Sequence, residues 1–589
     1  MAALFAFPRH VSRSLSTLRV AALFGLLSTS IASGAHKDGD SVCRSAPGDE
    51  SWPSDEVWAS FNASIEGKLI RTVPIASVCH GPAYDEAQCA TLRDNWFFPE
   101  THLPSPSSPM AYEFSNDSCN PFSEPAAPCT VGSHVVYTVN ASTVDDYRAT
   151  IGFVRQHNIR LVIRSSGHDY LGKSSGAHAL GLWTLHLKST ELLSDYQSQH
   201  YQGTAMKIGA GVNGGEAQAF AHSKGLVVVV GNCPTVTLAG GWVQGGGHGL
   251  LSSRYGLGVD QVLEFEVVTA DGELLTATTD SNSDLFWALA GGGGGTYGIV
   301  LSMTIKTYPE SITSRALLTV PRTGEKPEDF SNFLATFLQH LPATLDAGVT
   351  VIWAMMPFAF MLVPAFAPGL TKDELDKLID PTINRLEELG IGYQYDSAEY
   401  PDALSAFESV PATWNVSDMH PAGRLIPRDL LETKLTGLVE ALIHIGDNAL
   451  MAGVSYNLTR NAASYPMSVN PRLRETLFNL AVGAPVNYTH TEQWPAAYEF
   501  LQNDLLAPIR RLAPDGGAYL SETNPYDPEW QHQFYGGNYE KLLAIKDKYD
   551  PDNIFYARTA VGSHRWVEKT DGRLCRLTKE AEQWAHSEL

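Results

Sequence analysis

Apolar positions along the chain change their period several times, and each change marks an element. Val135–Val139 is an apolar-rich run of strand length, after which Val144, Tyr147, Ile151 and Val154 recur at the spacing of one helix face. Leu161–Ile163 is a short apolar strand that ends on Arg164. Leu263–Thr269 and Glu273–Thr278 flank Ala270-Asp271-Gly272, which predicts a hairpin. Ser283-Asp284 can cap a helix running to Leu289, and Gly298–Tyr308 returns as a strand.

The middle of the chain has a different rhythm. Phe330, Phe333, Leu334, Phe337 and Leu338 mark one amphipathic helix. Leu375, Leu378, Ile379, Leu386 and Leu389 mark another, stopped by Gly390 and expected to kink at Pro381. The strand-like runs Val349–Met355 and Ala449–Tyr456 lie between and after them. The pattern predicts an antiparallel sheet backed by helices, a second domain beside the first. At 589 residues the chain exceeds one compact core, so the expected fold class is α+β with two lobes. Residues 36–130, rich in Pro, Ser and Cys, are expected to form a disulfide-stapled extension packed on the first domain. No internal repeat is present.

Composition narrows the partners. Apolar residues make up 44% and charged residues 18%, a globular balance, and 41 Lys+Arg against 64 Asp+Glu leave a net charge of −23. Such a surface repels nucleic acid and anionic membrane, so a small molecule is the expected partner. Arg9, Arg13 and Arg19 precede the apolar stretch Val20–Leu27 and the small residues Ala32–Ala35, which reads as an export signal over residues 1–35. The apolar run is too short to span a bilayer, so no membrane association is expected once the leader is cleaved. Six sequons fit export, with N-glycans expected at several of Asn62, Asn116, Asn140, Asn415, Asn457 and Asn487. Spacing does not prove disulfide connectivity. The expected pairs are Cys79–Cys89 and Cys119–Cys129 as short loops and Cys43–Cys575 as a clasp between the ends, leaving Cys233 free or modified. Zinc spacing is absent and no metal site is expected.

Chemistry concentrates in three glycine-rich segments. Arg164-Ser165-Ser166-Gly167-His168-Asp169-Tyr170 follows a buried strand, and its amides, hydroxyls and guanidinium suit a pyrophosphate. Gly231–Gly249 and Gly291–Gly298 carry so many glycines that their backbone is expected to lie against something large and planar. A nicotinamide-binding Rossmann motif is excluded, because Gly245-Gly246-Gly247-His248-Gly249 lacks the G-x-G-x-x-G spacing and its strand–helix context.

Arg-Ser-Ser-Gly-His-Asp-Tyr at 164–170, Cys-Pro-Thr-Val at 233–236 and Gly-Gly-Gly-His-Gly at 245–249 together resemble the berberine bridge enzyme-like flavoproteins of the vanillyl-alcohol oxidase and p-cresol methylhydroxylase superfamily. Tyr535-Gly536-Gly537-Asn538-Tyr539-Glu540 and Tyr549–Phe555 resemble the C-terminal motif of that family, and Gly172-Lys173-Ser174 and Tyr556–Thr559 resemble its fungal secreted branch. The resemblance covers residues 130–310 and 515–570 well. It implies a PCMH-type FAD-binding domain over 131–310, a substrate-binding domain over 311–520 and a segment over 521–589 that returns to the FAD domain.

The resemblance further implies FAD bound twice, through His168 to the 8α-methyl of the isoalloxazine and through Cys233 to its carbon 6. Neutral imidazole and thiolate are side-chain nucleophiles able to attack an electron-poor flavin. Arg164, Ser165, Ser166, Gly167, Asp169, Val236, Gly240, Gly241, Gly246, Gly249, Gly298 and Ile299 are expected around the cofactor. His248 and Trp242 are read as packing or flavin-shaping residues. Glu522, in a segment resembling the family strand that faces the flavin, is the expected base, with its pKa raised in an apolar pocket or else paired to an arginine. Tyr519 would orient substrate or act as phenolate, and Asn470 would line the pocket. The expected function is a secreted oxidase that removes a hydride from an alcohol, sugar or secondary-metabolite carbon and reduces O2 to H2O2. Small, β-branched Val236 at the family's oxygen gate favours this over a dehydrogenase or cyclase with poor O2 reactivity. A flavin-carrying protein without turnover is the reading from another class.

Overall fold

The computed structural model describes residues 42–322, 326–411, 415–459 and 461–577; the expected export leader lies outside them. Tyr137–Asn140, Ala179–Trp183 and Arg160–Arg164 form a parallel trio in that spatial order. Helix Val144–Gln156 connects the first to the last, started by a capping box between Thr143 and Asp146, and buries Tyr147, Ile151 and Val154. Ala179–Trp183 escaped the sequence pattern because every one of its residues is buried, so no alternation remains to read. Leu69–Arg71 adds an antiparallel edge, so the N-terminal extension contributes a strand to this sheet as well as packing on it.

A second, wholly antiparallel sheet runs Thr190–Gln197, Gln202–Gly209, Ile299–Lys306, Val262–Val268, Leu274–Ala277. Its last two strands are the expected hairpin, closed where the Gly272 amide donates to Thr269 with Gly272 at φ +85°.

The middle of the chain forms a seven-stranded antiparallel sheet ordered Gln394–Tyr400, Thr313–Pro321, Ala359–Pro368, Thr350–Met356, Leu450–Ser455, Thr476–Pro485, Met419–Pro427. Alternate residues of Thr350–Met356 part to opposite faces. Val351, Trp353 and Met355 join the core beneath helices Pro327–Asp346, Lys372–Leu389 and Leu435–Asn448, whereas Ile352 joins the core facing the first half of the chain. Lys372–Leu389 starts at a Thr371–Glu374 capping box, ends at left-handed Gly390, and runs through Pro381 as one helix.

Beyond the sheet, helix Tyr539–Tyr549 leads to Phe555, which bridges Leu161 of the first sheet. The tail therefore returns beside the strand that carries Arg164. Cys43–Cys575, Cys79–Cys89 and Cys119–Cys129 are bonded, and Cys233 is the free cysteine. Among the described residues no helix is long and apolar enough to cross a membrane. Of the sequon asparagines, Asn116 and Asn487 are exposed, whereas Asn457 is buried with Nδ2 donating to Asp346 at 2.7 Å, which opposes a glycan there.

Candidate active site

A cavity of about 580 Å³ lies between the glycine-rich segments of the first half and the face of the seven-stranded sheet turned away from helices Pro327–Asp346, Lys372–Leu389 and Leu435–Asn448. The sheet lends it Ile352, Ala452, Val454 and Ala481. The turn after Ile163 forms one wall. Gly167 takes φ +86°, and a Cβ there would meet the Arg164 guanidinium at 2.5 Å. Ser165, Ser166, Gly167, His168 and Asp169 reach the cavity. Asp169 turns its carboxylate to the amides of Leu171, Lys173 and Ser174 and so shapes the next loop.

The cysteine loop is fixed from behind by a helix N-terminus. The amides of Gly214 and Gly215, opening helix Gly214–His222, donate to the carbonyls of Val236 and Pro234 at 2.9 Å each. Ser166 Oγ lies 3.4 Å from Thr237 Oγ1 and ties the loop to the first turn. The third glycine segment packs on the second, since a Cβ on Gly294 would meet the Gly241 Cα at 2.9 Å. Cys233, Val236, Gly240, Gly241, Gly298 and Ile299 all line the cavity. Gly240 sits in an irregular turn, Leu238–Trp242, rather than in flat extended backbone.

His168 and Cys233 meet on this wall, with Nε2 and Sγ 3.9 Å apart. Between them stands Thr235, its hydroxyl 2.7 Å from His168 Nε2 and 3.2 Å from Cys233 Sγ. Burial, reinforced by the Arg164 charge, pushes the His168 pKa down to about 3, so the imidazole is neutral. Burial raises the Cys233 thiol, opposed by hydrogen bonds from Thr235.

Elsewhere on the cavity wall, Glu522 Oε2 is 3.0 Å from His248 Nε2 and accepts from Asn479 Nδ2 at 3.0 Å, the strand Thr476–Pro485 supplying the asparagine. The expected raised pKa is overturned. Burial pushes it up, but His248 and Asn479 outweigh that and hold Glu522 at about 2. The partner is a histidine from the Gly-Gly-Gly-His-Gly stretch, not an arginine, and His248 is therefore more than packing. Among the described residues both hydrogen bonds of the Glu522 carboxylate fall on Oε2 and none on Oε1. The Tyr519 hydroxyl accepts the Gly247 amide at 3.2 Å, and burial raises its pKa, which disfavours the expected phenolate. Residues 517–522 form an irregular segment rather than a strand, held where the Leu425 amide donates to the Gly517 carbonyl and the Ala518 amide to the Gln533 carbonyl.

Arg164, Gly246, Gly249 and Asn470 are absent from the cavity wall. Arg164 is buried behind the turn and donates to the His102 carbonyl, Gly249 packs on the Val230 carbonyl, Gly246 lies near Tyr519 and Leu473, and Asn470 donates to the Gln533 carbonyl. Conversely, Thr235, Asn479 and Lys173 went unassigned in the sequence. Lys173 is on the wall, pushed down to about 8 by burial with Asp169 opposing. Each had a readable signal: Thr235 and Lys173 lie inside quoted motifs, and Asn479 interrupts an apolar strand.

Three converging glycine stretches, a returning C-terminal segment and a large sheet with one face open to the cavity define a two-lobed PCMH-type FAD-binding protein. The FAD binding domain family model matches residues 135–278, and the Berberine and berberine like model matches 486–562. An FAD-linked oxidoreductase of Hypocrea jecorina is 43% identical over 540 residues, covering 91% of this chain and 94% of that protein. The crystal structure of VAO-type flavoprotein MtVAO615 from Myceliophthora thermophila C1 superimposes with a TM-score of 0.87 at 37% identity, over 91% of this chain and 100% of that one. A structure of glucooligosaccharide oxidase from Acremonium strictum, described with a 6-S-cysteinyl, 8α-N1-histidyl FAD, shares the fold at TM-score 0.61 and 20% identity, over 73% of this chain and 92% of that one. The chain belongs to the family of vanillyl-alcohol-oxidase-type, berberine-bridge-like flavoproteins and is an FAD-dependent oxidoreductase.

Proposed function

We propose that the protein is a secreted oxidase that holds FAD by two covalent bonds and oxidises an alcohol, sugar or secondary-metabolite carbon at the expense of O2. The observation that carries this reading is the meeting of His168 and Cys233 on one cavity wall, 3.9 Å apart. The 8α-methyl and carbon 6 of a flavin are close neighbours on one ring, so two residues that attack them must stand side by side. The wall also has room for the cofactor, since a Cβ added to Gly241 would meet no protein atom within 4 Å. Ser165, Ser166, Gly167, Asp169, Gly240, Gly241, Gly298 and Ile299 would surround FAD, and cationic Lys173 would pair with its phosphates.

FAD, when bound, accepts the hydride; the chain handles the proton. Glu522 Oε1, to which no hydrogen bond runs among the described residues, would take one from the substrate hydroxyl. A carboxylate held near 2 is a weak base. Hydride departure turns that hydroxyl into a protonated carbonyl, a far stronger acid, so a weak base suffices. Tyr519 stays a neutral phenol and orients the substrate. Val236 leaves space for O2. The three disulfides, with the expected leader and sequons, support export.

The test has two stages. Acid-precipitated protein should form a yellow pellet, and peptide masses should place flavin on His168 and Cys233. A panel of alcohols and oligosaccharides should then yield peroxide in step with O2 consumed. Dye reduction without peroxide would replace the oxidase with a dehydrogenase, and a colourless pellet would remove the double tether.

A further inference from the structure

We infer that Thr235 is the positioning residue that decides which imidazole nitrogen of His168 faces the cofactor and holds the Cys233 thiol beside it. The inference rests on the covalent-flavin reading above and adds a residue to it. An imidazole has two nitrogens, and a neutral ring can attack only through the one that carries no proton. In this site Nε2 is occupied, with the Thr235 hydroxyl at 2.7 Å, while among the described residues no hydrogen bond reaches Nδ1. A ring that donates its Nε2 proton to Thr235 Oγ1 leaves the Nδ1 lone pair free, and no other described side-chain oxygen binds either nitrogen. The same hydroxyl lies 3.2 Å from Cys233 Sγ, so it can donate its own proton to sulfur and favour the thiolate that burial disfavours. One side chain thus sets the tautomer of one nucleophile and the charge of the other.

Thr235 is itself held in place. It lies between Pro234 and Val236, whose carbonyls accept the Gly215 and Gly214 amides at 2.9 Å each. These bonds fix the backbone from which its side chain projects toward His168.

The chemistry balances with O2 as the oxidant. In the first bond, Nδ1 joins the 8α-carbon; that carbon gives up one C–H proton, the imidazole gives up its Nε2 proton by way of Thr235, and the electron pair passes through the flavin to O2, giving H2O2. In the second, sulfur joins carbon 6; the thiol and the ring C–H each lose a proton, and a second O2 takes up the electron pair. Thr235 handles a proton in the first step and steadies sulfur in the second.

The test uses T235V, which keeps the shape without the hydroxyl, T235S, which keeps the hydroxyl, and T235A in case T235V does not fold. Purified full-length proteins are acid-precipitated, pellet and supernatant flavin are quantified, and the linked peptides are isolated so that NMR can assign the bonded nitrogen. In wild type and T235S, flavin should stay in the pellet and be joined through Nδ1. In T235V or T235A, the covalent share after a fixed short exposure to FAD should fall roughly tenfold, the size expected for loss of one hydrogen bond to a reacting group, with flavin recovered from the supernatant. Any residual adduct should divide between Nδ1 and Nε2. A T235V or T235A protein matching wild type in both covalent share and bonded nitrogen overturns the inference, as does a wild-type linkage through Nε2. Wild type that releases all its flavin overturns the covalent reading itself, a result distinct from failure of the Thr235 role alone.

Discussion

Lys546→Met is the most informative single perturbation of the architecture around the cavity. Lys546 Nζ donates to the carbonyls of Thr296 at 2.7 Å and Phe555 at 2.6 Å and to the Asp550 carboxylate at 2.5 Å. The two charged side chains are 1% and 0% exposed. Asp550 in turn accepts the amides of Ile554 and Phe555 at 2.8 and 2.9 Å. Methionine keeps much of the volume but leaves a buried carboxylate without its cation and two carbonyls without a donor. Removing one partner of a buried pair costs about 3–5 kcal/mol, and each stranded carbonyl adds about 1–3 kcal/mol where water cannot reach it. A destabilisation of about 5–11 kcal/mol is therefore expected. In K546M/D550N the orphaned charge is gone but the asparagine Nδ2 cannot accept the second backbone amide, so only part of that loss, less than half, should return. Differential scanning calorimetry checks both. Because Phe555 lines the cavity and bridges Leu161, K546M should also carry less flavin per protein. K546M melting within about 1 °C of wild type, or a double variant less stable than the single one, would refute the reasoning.

Other expectations follow from single contacts. Gly249→Ala would place a Cβ 1.8 Å from the Val230 carbonyl oxygen, a backbone atom, so this variant should yield little folded protein, whereas Gly241→Ala meets no protein atom and should fold yet lose flavin by crowding it; soluble yield and flavin-to-protein absorbance separate the two. Glu522→Gln should keep its flavin and lose turnover by about 100-fold or more, as for loss of a positioned proton acceptor, and unchanged peroxide production would remove Glu522 from the chemistry. Since Glu522 titrates near 2, it stays ionised at every working pH, and an acid limb of activity above about pH 4 that persists in E522Q would belong to another group. His102, buried and bonded to the Trp96 carbonyl and Ser108, is depressed by burial from 6.5 to about 4. The folded protein then binds fewer protons than the unfolded chain between those values, so stability from this group is complete above pH 6.5 and falls as pH drops towards 4. Melting temperatures across that range should flatten in H102N relative to wild type.

Local order was legible wherever burial is one-sided. The helices Val144–Gln156, Pro327–Asp346 and Lys372–Leu389 show through their apolar stripes and caps, and the Val262–Ala277 hairpin through its Ala-Asp-Gly turn. The family was legible too, because a backbone that approaches a planar cofactor needs glycine, and the tether proposed for this site needs His and Cys. These are demands on residue type, and residue type is what a sequence records. Ala179–Trp183 was not legible, since a strand buried on both faces carries no period.

The electrostatics of the cavity belonged to tertiary structure alone. His248 and Glu522 are 274 positions apart, and only the return of the C-terminal segment brings a carboxylate expected to be raised against the imidazole that lowers it. Arg164 sits in the motif that suggests a phosphate contact, yet its side chain lies behind the turn, because a residue's neighbours along the chain do not say which way a buried side chain points. A pKa depends on distances to charges and to water, and those distances exist only after sheets from both halves of the chain have closed on each other.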